Sequence, residues 1–246
     1  MRLSRVLTPL AALTAATLLS SCAAEDDAEL LVLGASSVRV VNDDIQTLSP
    51  VPLSFVNAGS SELVSQLIDG SPGDLLITAD RKTMDAAVSA GVAENPEVLA
   101  QNTIVLVVPA GNPAGVTSLE DLSRDDVRTV VCDVQVPCGA ATQQILAANA
   151  VTMTPVSMEN NVAGTLGKVV SGDADAGFVY RTDAIAAGEQ VETIDIAHAE
   201  DFPTTVIGAV VADSARATQA RALLGTLAGD DSAEMWKRHG FAPASS

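Results

Sequence analysis

An α/β fold with mostly parallel sheets is what this sequence predicts. Three observations carry the prediction. Short apolar runs alternate with segments of helical spacing, the order that gives mostly parallel sheets flanked by helices. The 246 residues, 48% of them apolar, suffice for one large domain or two smaller α/β lobes. A turn-rich break, Ala110-Gly-Asn-Pro-Ala-Gly115, interrupts the alternation where a crossing between lobes is expected.

The elements follow in order. Leu30 to Gly34 is a continuous apolar run, as suits a strand covered on both faces. The stretch after it is poorly written as a helix, because Asn42-Asp43-Asp44 interrupts it. Pro52 to Val56 is the next strand. Ser61 to Asp69 carries apolar residues at 63, 64, 67 and 68, a helical spacing that Gly70 ends. Asp74 to Thr78 is a strand, and Asp80 caps a helix that stops near Gly91. Thr103 to Val108 is a β-branched strand ending at Pro109. Arg128 to Cys132 is a strand, Gly139 to Asn149 a helix, and Asn161 to Val170 a second helix closed by Gly172. Ala176 to Tyr180 and Val191 to Ile196 are strands. Val206 to Val211 is an apolar run at the expected return crossing, near 203–208. Two helices close the chain, about 214–228 and 231–239. The second has a basic last turn, Lys237-Arg238-His239, which suits the negative end of the helix dipole, with Gly240 at C′.

The first residues read as an export signal. Met1-Arg2-Leu3-Ser4-Arg5 is basic, Val6 to Leu19 is apolar, and Leu19-Ser20-Ser21 precedes Cys22. The run is short and Thr-rich for a membrane span. Leu-Ser-Ser-Cys resembles a bacterial lipobox, which implies lipidation of Cys22 and an anchor on the outer face of the cell membrane. Residues 1–21 are then the signal peptide and 22–28 an acidic tether. Loss of residues 1–21 removes Arg2 and Arg5 and leaves 31 acids against 11 bases, a net −20. Such a surface repels nucleic acid and anionic lipid. It also repels anions at long range, so any anion site must act through aimed hydrogen bonds.

Cys132 and Cys138 remain. Export and their spacing favour a disulfide over two free buried thiols. The two histidines, His198 and His239, have no zinc-ligand spacing. Asp173 and Asp175 read as a surface turn rather than a calcium loop. Neither repeats nor a large apolar surface suggest an adhesin. A secreted serine hydrolase, the remote alternative, needs a base and an oxyanion hole. The sequence has no Gly-x-Ser-x-Gly elbow to supply its nucleophile.

Several segments share one pattern: Gly70-Ser-Pro-Gly-Asp-Leu-Leu-Ile-Thr-Ala-Asp80 with Met84-Asp85, Val136-Pro-Cys-Gly139, Glu159-Asn-Asn-Val162, Gly172 to Tyr180 followed by Thr182-Asp183-Ala184, and the closing Trp236 to Phe241. In order and spacing the chain resembles the molybdate-binding proteins of bacterial ABC importers, of the type II periplasmic binding protein class, from about Leu31 to Phe241. The resemblance implies a two-lobed fold with the ligand cleft between lobes: 29–108 and 207–246 in one, 109–206 in the other. It implies a non-enzymatic, monomeric carrier without cofactor that captures molybdate or tungstate and delivers it to a permease driven by an ATPase. Sulfate or another small anion on the same scaffold is the alternative. The implied oxyanion ligands are the hydroxyls of Ser37 (Ser36 as substitute), Ser60 and Tyr180, and the backbone N–H groups of Cys138 and Val162. The chain departs from the family in Arg181, where a small residue is usual, in Cys138, where alanine is more common, and in lacking the Tyr-Pro pair at the return crossing.

The residues support such a site on their own. Ser60, Cys138 and Val162 stand at predicted helix starts, where unpaired N–H groups and the dipole make an anion site. Serine and tyrosine hydroxyls add donors that rotate to fit. No Lys or Arg lies inside these motifs apart from Arg181, so the expected pocket is neutral and rich in donors.

Overall fold

The computed structural model describes residues 29–244; the expected export signal, Cys22 and the tether lie outside the described residues. The chain starts with β1 (Leu30–Ala35). A 3-10 turn over Ser36–Val41 runs into α1 (Asn42–Leu48). Then come β2 (Leu53–Ala58), α2 (Ser60–Ile68), β3 (Leu75–Thr78), α3 (Arg81–Ser89) and β4 (Ala93–Asn102). Asp80 caps α3 as expected, its Oδ1 accepting from Thr83 N at 2.7 Å.

The chain then changes sheets within one residue, Thr103. The second sheet and its helices comprise β5 (Ile104–Pro109), β6 (Thr129–Cys132), α4 (Pro137–Ala148), β7 (Ser157–Glu159), α5 (Val162–Val170), β8 (Ala176–Tyr180), α6 (Arg181–Ala187) and β9 (Val191–Ile194). Residues 195–203 lead back to β10 (Thr204–Val211), α7 (Ala217–Ala228), α8 (Ala233–Arg238) and the short β11 (Ala242–Pro243).

The strand orders are β11-β4-β10-β3-β1-β2 and β7-β6-β8-β5-β9. In each sheet three neighbouring strands are parallel: β3-β1-β2 in one, β7-β6-β8 in the other. The strands beside the crossings, β4, β5 and β10, pair antiparallel, so both sheets are mixed. The two-lobed α/β class is the expected one. The first crossing is not where the turn signals put it. β5 pairs with β8 and β9, so 104–108 belong to the second lobe, and Ala110–Gly115 is a turn within that lobe. The return also precedes the apolar run, because 204–211 pair along their length with β3 and β4. Apolar character marks these segments as strands, and it does not say which sheet receives them.

Burial explains the rest. Ile104 to Val108 are all fully buried, as their β-branched run requires. Trp236 on α8 is 1% exposed; its Nε1 donates to Leu227 O at 3.1 Å, and its ring meets Phe241 edge-on at 5.1 Å. Gly240 holds φ +86° between them, the left-handed C′ conformation foreseen for it. Among the described residues no helix is long and apolar enough to cross a membrane.

Candidate oxyanion site between the lobes

The parallel strands of each sheet end in loops that start the next helix, where open α/β sheets hold ligands. Here the loops of both sheets meet. Ser36 and Ser37 follow β1, and Gly59 and Ser60 follow β2. Val136 to Cys138 follow β6, Asn161 and Val162 follow β7, and Tyr180 ends β8. All of them line one small cavity between the lobes, of about 20 Å³. One water needs roughly 10–15 Å³, so the cavity suits a very small solute and not a sugar or an amino acid. The structure therefore brings together every residue singled out from the sequence: Ser37, Ser60, Cys138, Val162 and Tyr180, with Ser36 beside Ser37.

Each group is oriented by its neighbours. Ser60 is 2% exposed, and its Oγ accepts from Ala79 N at 3.0 Å, which leaves the hydroxyl proton free to donate. Pro137 at the first position of α4 has no N–H, so the first free amide of that helix is that of Cys138. A disulfide joins Cys138 to Cys132 on β6, with 5.8 Å between Cα atoms. The favoured pairing is thus the observed one, and it ties the N-terminus of α4 to the strand before it. On α5 the Asn161 side chain accepts from Gly164 N at 3.0 Å. The cap thereby serves a later amide, and the N–H of Val162, in the first turn, has no i−4 carbonyl to bond.

Tyr180 is 1% exposed and is the N-cap residue of α6. No group among the described residues meets hydrogen-bond geometry with its hydroxyl; the Thr204 side chain stands near it, but its hydroxyl donates to Asn102 O at 3.3 Å. Burial pushes the phenol pKa far upward, so it keeps its proton and stays a donor. An orphaned buried hydroxyl costs free energy unless a ligand satisfies it.

Among the described residues no Lys or Arg lines the cavity. Arg181, beside Tyr180, pairs outward with Asp195 at 2.9 Å. Two features of the site were not foreseen. Ser61 Oγ donates across the cleft to Gln135 O at 3.1 Å. Asp183, in the first turn of α6 and behind the cavity lining, is 2% exposed, and burial raises its carboxyl to about pKa 7. No sequence signal marks the first contact. The second was visible only as part of the Thr-Asp-Ala motif. Among the described residues no cluster of His, Cys, Asp or Glu can hold a metal cation.

Fold and site define a class: a two-lobed protein that receives one small solute between lobes. The chain belongs to the bacterial extracellular solute-binding protein family, whose model matches residues 32–242. It is 36% identical over 193 residues to the molybdate-binding protein ModA of Mycobacterium tuberculosis, covering 78% of this chain and 74% of that one. By fold it is similar to the sulfate-binding protein SubI of the same organism (TM-score 0.75, 18% identity, 88% of this chain and 87% of that one). It is also similar to the Azotobacter vinelandii periplasmic molybdate-binding protein (TM-score 0.72, 18% identity, 88% and 100%). The family is one of extracellular solute-binding proteins, not enzymes.

Proposed function

We propose that the protein captures molybdate, with tungstate as an equivalent ligand, and delivers it to an ABC importer. The observation that carries this reading is the set of uncharged donors around one small cavity. The hydroxyls of Ser37, Ser60 and Tyr180 and the amides of Cys138 and Val162 act as the oxyanion ligands. Three of these groups stand at helix N-termini, which favour negative charge. Together they replace the hydration shell of a dianion without a cationic side chain.

Such a pocket selects ions that carry no proton. Hydrogen phosphate brings a donor that needs an acceptor, and the residues lining the cavity include no carboxylate, while the Asn161 side-chain oxygen already accepts from Gly164 N. A buried unpaired donor costs about 1–3 kcal/mol, enough for roughly tenfold to hundredfold discrimination. Sulfate passes this test and is the competing ion; the fold it shares with SubI keeps it in view.

The rest of the reading concerns export and assembly. Cys22 is lipidated after removal of residues 1–21, and the chain works as a monomer. The anion bridges the lobes and stabilises their closed form, which docks on a permease driven by an ATPase. Calorimetric titration of residues 22–246 with molybdate, tungstate, sulfate and phosphate tests the function. Tight binding of the first two, weaker binding of sulfate, and binding of phosphate roughly tenfold to hundredfold weaker than that of molybdate are expected. Binding of phosphate or of an organic solute in preference rejects the reading.

A further inference from the structure

Gly59 sits between β2 and α2, at the N-cap of α2, with φ −62° and ψ 137°. Any residue adopts these angles, so the backbone of its own lobe does not ask for glycine. The demand comes from across the cleft. A Cβ placed on Gly59 lies 2.6 Å from Asn160 O, 3.7 Å from Asn160 C and 3.6 Å from the Asn161 Cβ. All three atoms belong to the loop between β7 and α5 in the other lobe, and, its two chain neighbours aside, no atom of Gly59's own lobe comes as near.

The two loops in contact are also the two that carry donors. Ser60 follows Gly59, and Val162 follows Asn161. How closely Gly59 seats on Asn160 therefore decides how far apart the Ser60 and Val162 donors stand. Ser61, one residue further on, donates to Gln135 O in the second lobe at 3.1 Å, beside the start of α4. The N-terminus of α2 thus meets the second lobe at two points that flank the cavity. One is a hydrogen bond, and the other is a bare backbone contact made possible by a missing side chain.

We propose that Gly59 is the closure stop of this protein: the bare contact of Gly59 with Asn160 fixes how far the lobes close and so sizes the cavity for a small tetrahedral ion. This rests on the reading of a two-lobed carrier that closes on its solute. A methyl group at 59 holds the loops apart by several tenths of an ångström. In a cavity of about 20 Å³ that displacement is enough to break donor contacts made from both sides at once.

The test compares Gly59→Ala and Gly59→Ser with the unmodified protein. Alanine is a poor N-cap and serine a good one, so the serine variant adds the same Cβ while supporting α2. Closure is read without any ligand by adding Ser61→Cys and Gln135→Cys to each protein and measuring the yield with a short bis-maleimide, which leaves the native disulfide alone. Molybdate affinity is read by calorimetry, and thermal stability without anion by circular dichroism. The Gly59→Ser protein is expected to melt within about 2 °C of the parent. Both variants are expected to crosslink several-fold less and to bind molybdate about tenfold or more weakly. Undiminished crosslinking in both variants, or unchanged affinity, overturns the proposal. So does a large fall in the melting temperature of Gly59→Ser, which would put the role of glycine inside its own lobe. If the parent protein binds no oxyanion at all, the functional reading falls by that result, and the crosslinking yields alone decide the closure stop.

Discussion

Tyr180 and Ser60 look alike as hydroxyl donors, yet their surroundings predict different consequences of removal. The Tyr180 hydroxyl has no partner among the described residues, so Tyr180→Phe removes a cost from the ligand-free protein. Its melting temperature should hold or rise while molybdate affinity falls about tenfold or more. Ser60→Ala removes a donor and also strips Ala79 N of its acceptor. It should lose affinity and about 1–3 kcal/mol of stability together. Calorimetry and thermal melts on the two variants separate these patterns. Asp183 makes a third prediction. Burial raises its carboxyl to about 7 from an ordinary 3.8, against the opposing pull of Arg39 and the Tyr180 backbone N–H. The folded chain thus holds this proton more tightly than the unfolded chain. Its contribution to stability is fully present below about pH 4 and is lost as pH rises through about 7. Asp183→Asn should therefore be more stable than the parent at pH 8, by up to a few kcal/mol, and not at pH 4. Urea unfolding at the two pH values checks it.

At the scale of elements, the disulfide is a clamp on the start of α4. It closes a short loop, with a sequence separation of 6 between Cys132 and Cys138. Loop closure of that length stabilises by about 2 kcal/mol in the chain-entropy model. Because Cys138 lines the cavity and its N–H is a proposed ligand, the double variant Cys132→Ser/Cys138→Ser should lose molybdate affinity as well as stability. Full affinity in a destabilised but folded variant would show that the amide is not a ligand. Much at this scale was legible in the sequence. Continuous apolar runs marked β1, β5, β8 and β10, and caps marked α3 and α5. The elements that were missed share a cause. β4 contains Glu94, Asn95, Pro96 and Glu97, all exposed, and has only the two-residue β11 on its outer side. β7 has three residues, and α6 buries polar Thr182 and Asp183 where an apolar stripe is the usual sign. The residues that line the cavity were named through the family resemblance, and loops that start helices gave them independent support. The Gly59–Asn160 contact could not be read, because the partner lies about a hundred residues away and nothing local requires it.

For the whole molecule, a neutral site on a strongly acidic surface has a kinetic consequence. The chain expected after export carries a net −20 and repels a dianion before contact. Salt screens that repulsion, the Debye length falling from about 30 Å at 0.01 M to about 8 Å at 0.15 M. Association with molybdate should therefore speed up as sodium chloride is raised through this range, measured by stopped-flow Trp236 fluorescence. A site built on Lys or Arg would slow instead. The crossings matter at this scale too. Thr103 and residues 195–203 are the covalent links between the lobes. Asn102 Nδ2 donates to Thr182 Oγ1 at 2.8 Å, linking the end of β4 to the helix that Tyr180 begins.

The central claim is that uncharged donors from both lobes hold the ion. A crystal structure of the molybdate complex, with the metal located by its anomalous signal, tests it most directly. We predict one molybdenum peak in the cavity, its oxygens within hydrogen-bond distance of Ser37, Ser60, Tyr180 and the amides of Cys138 and Val162. A peak elsewhere, or an ion held in the cavity by an arginine or lysine side chain, would contradict the account.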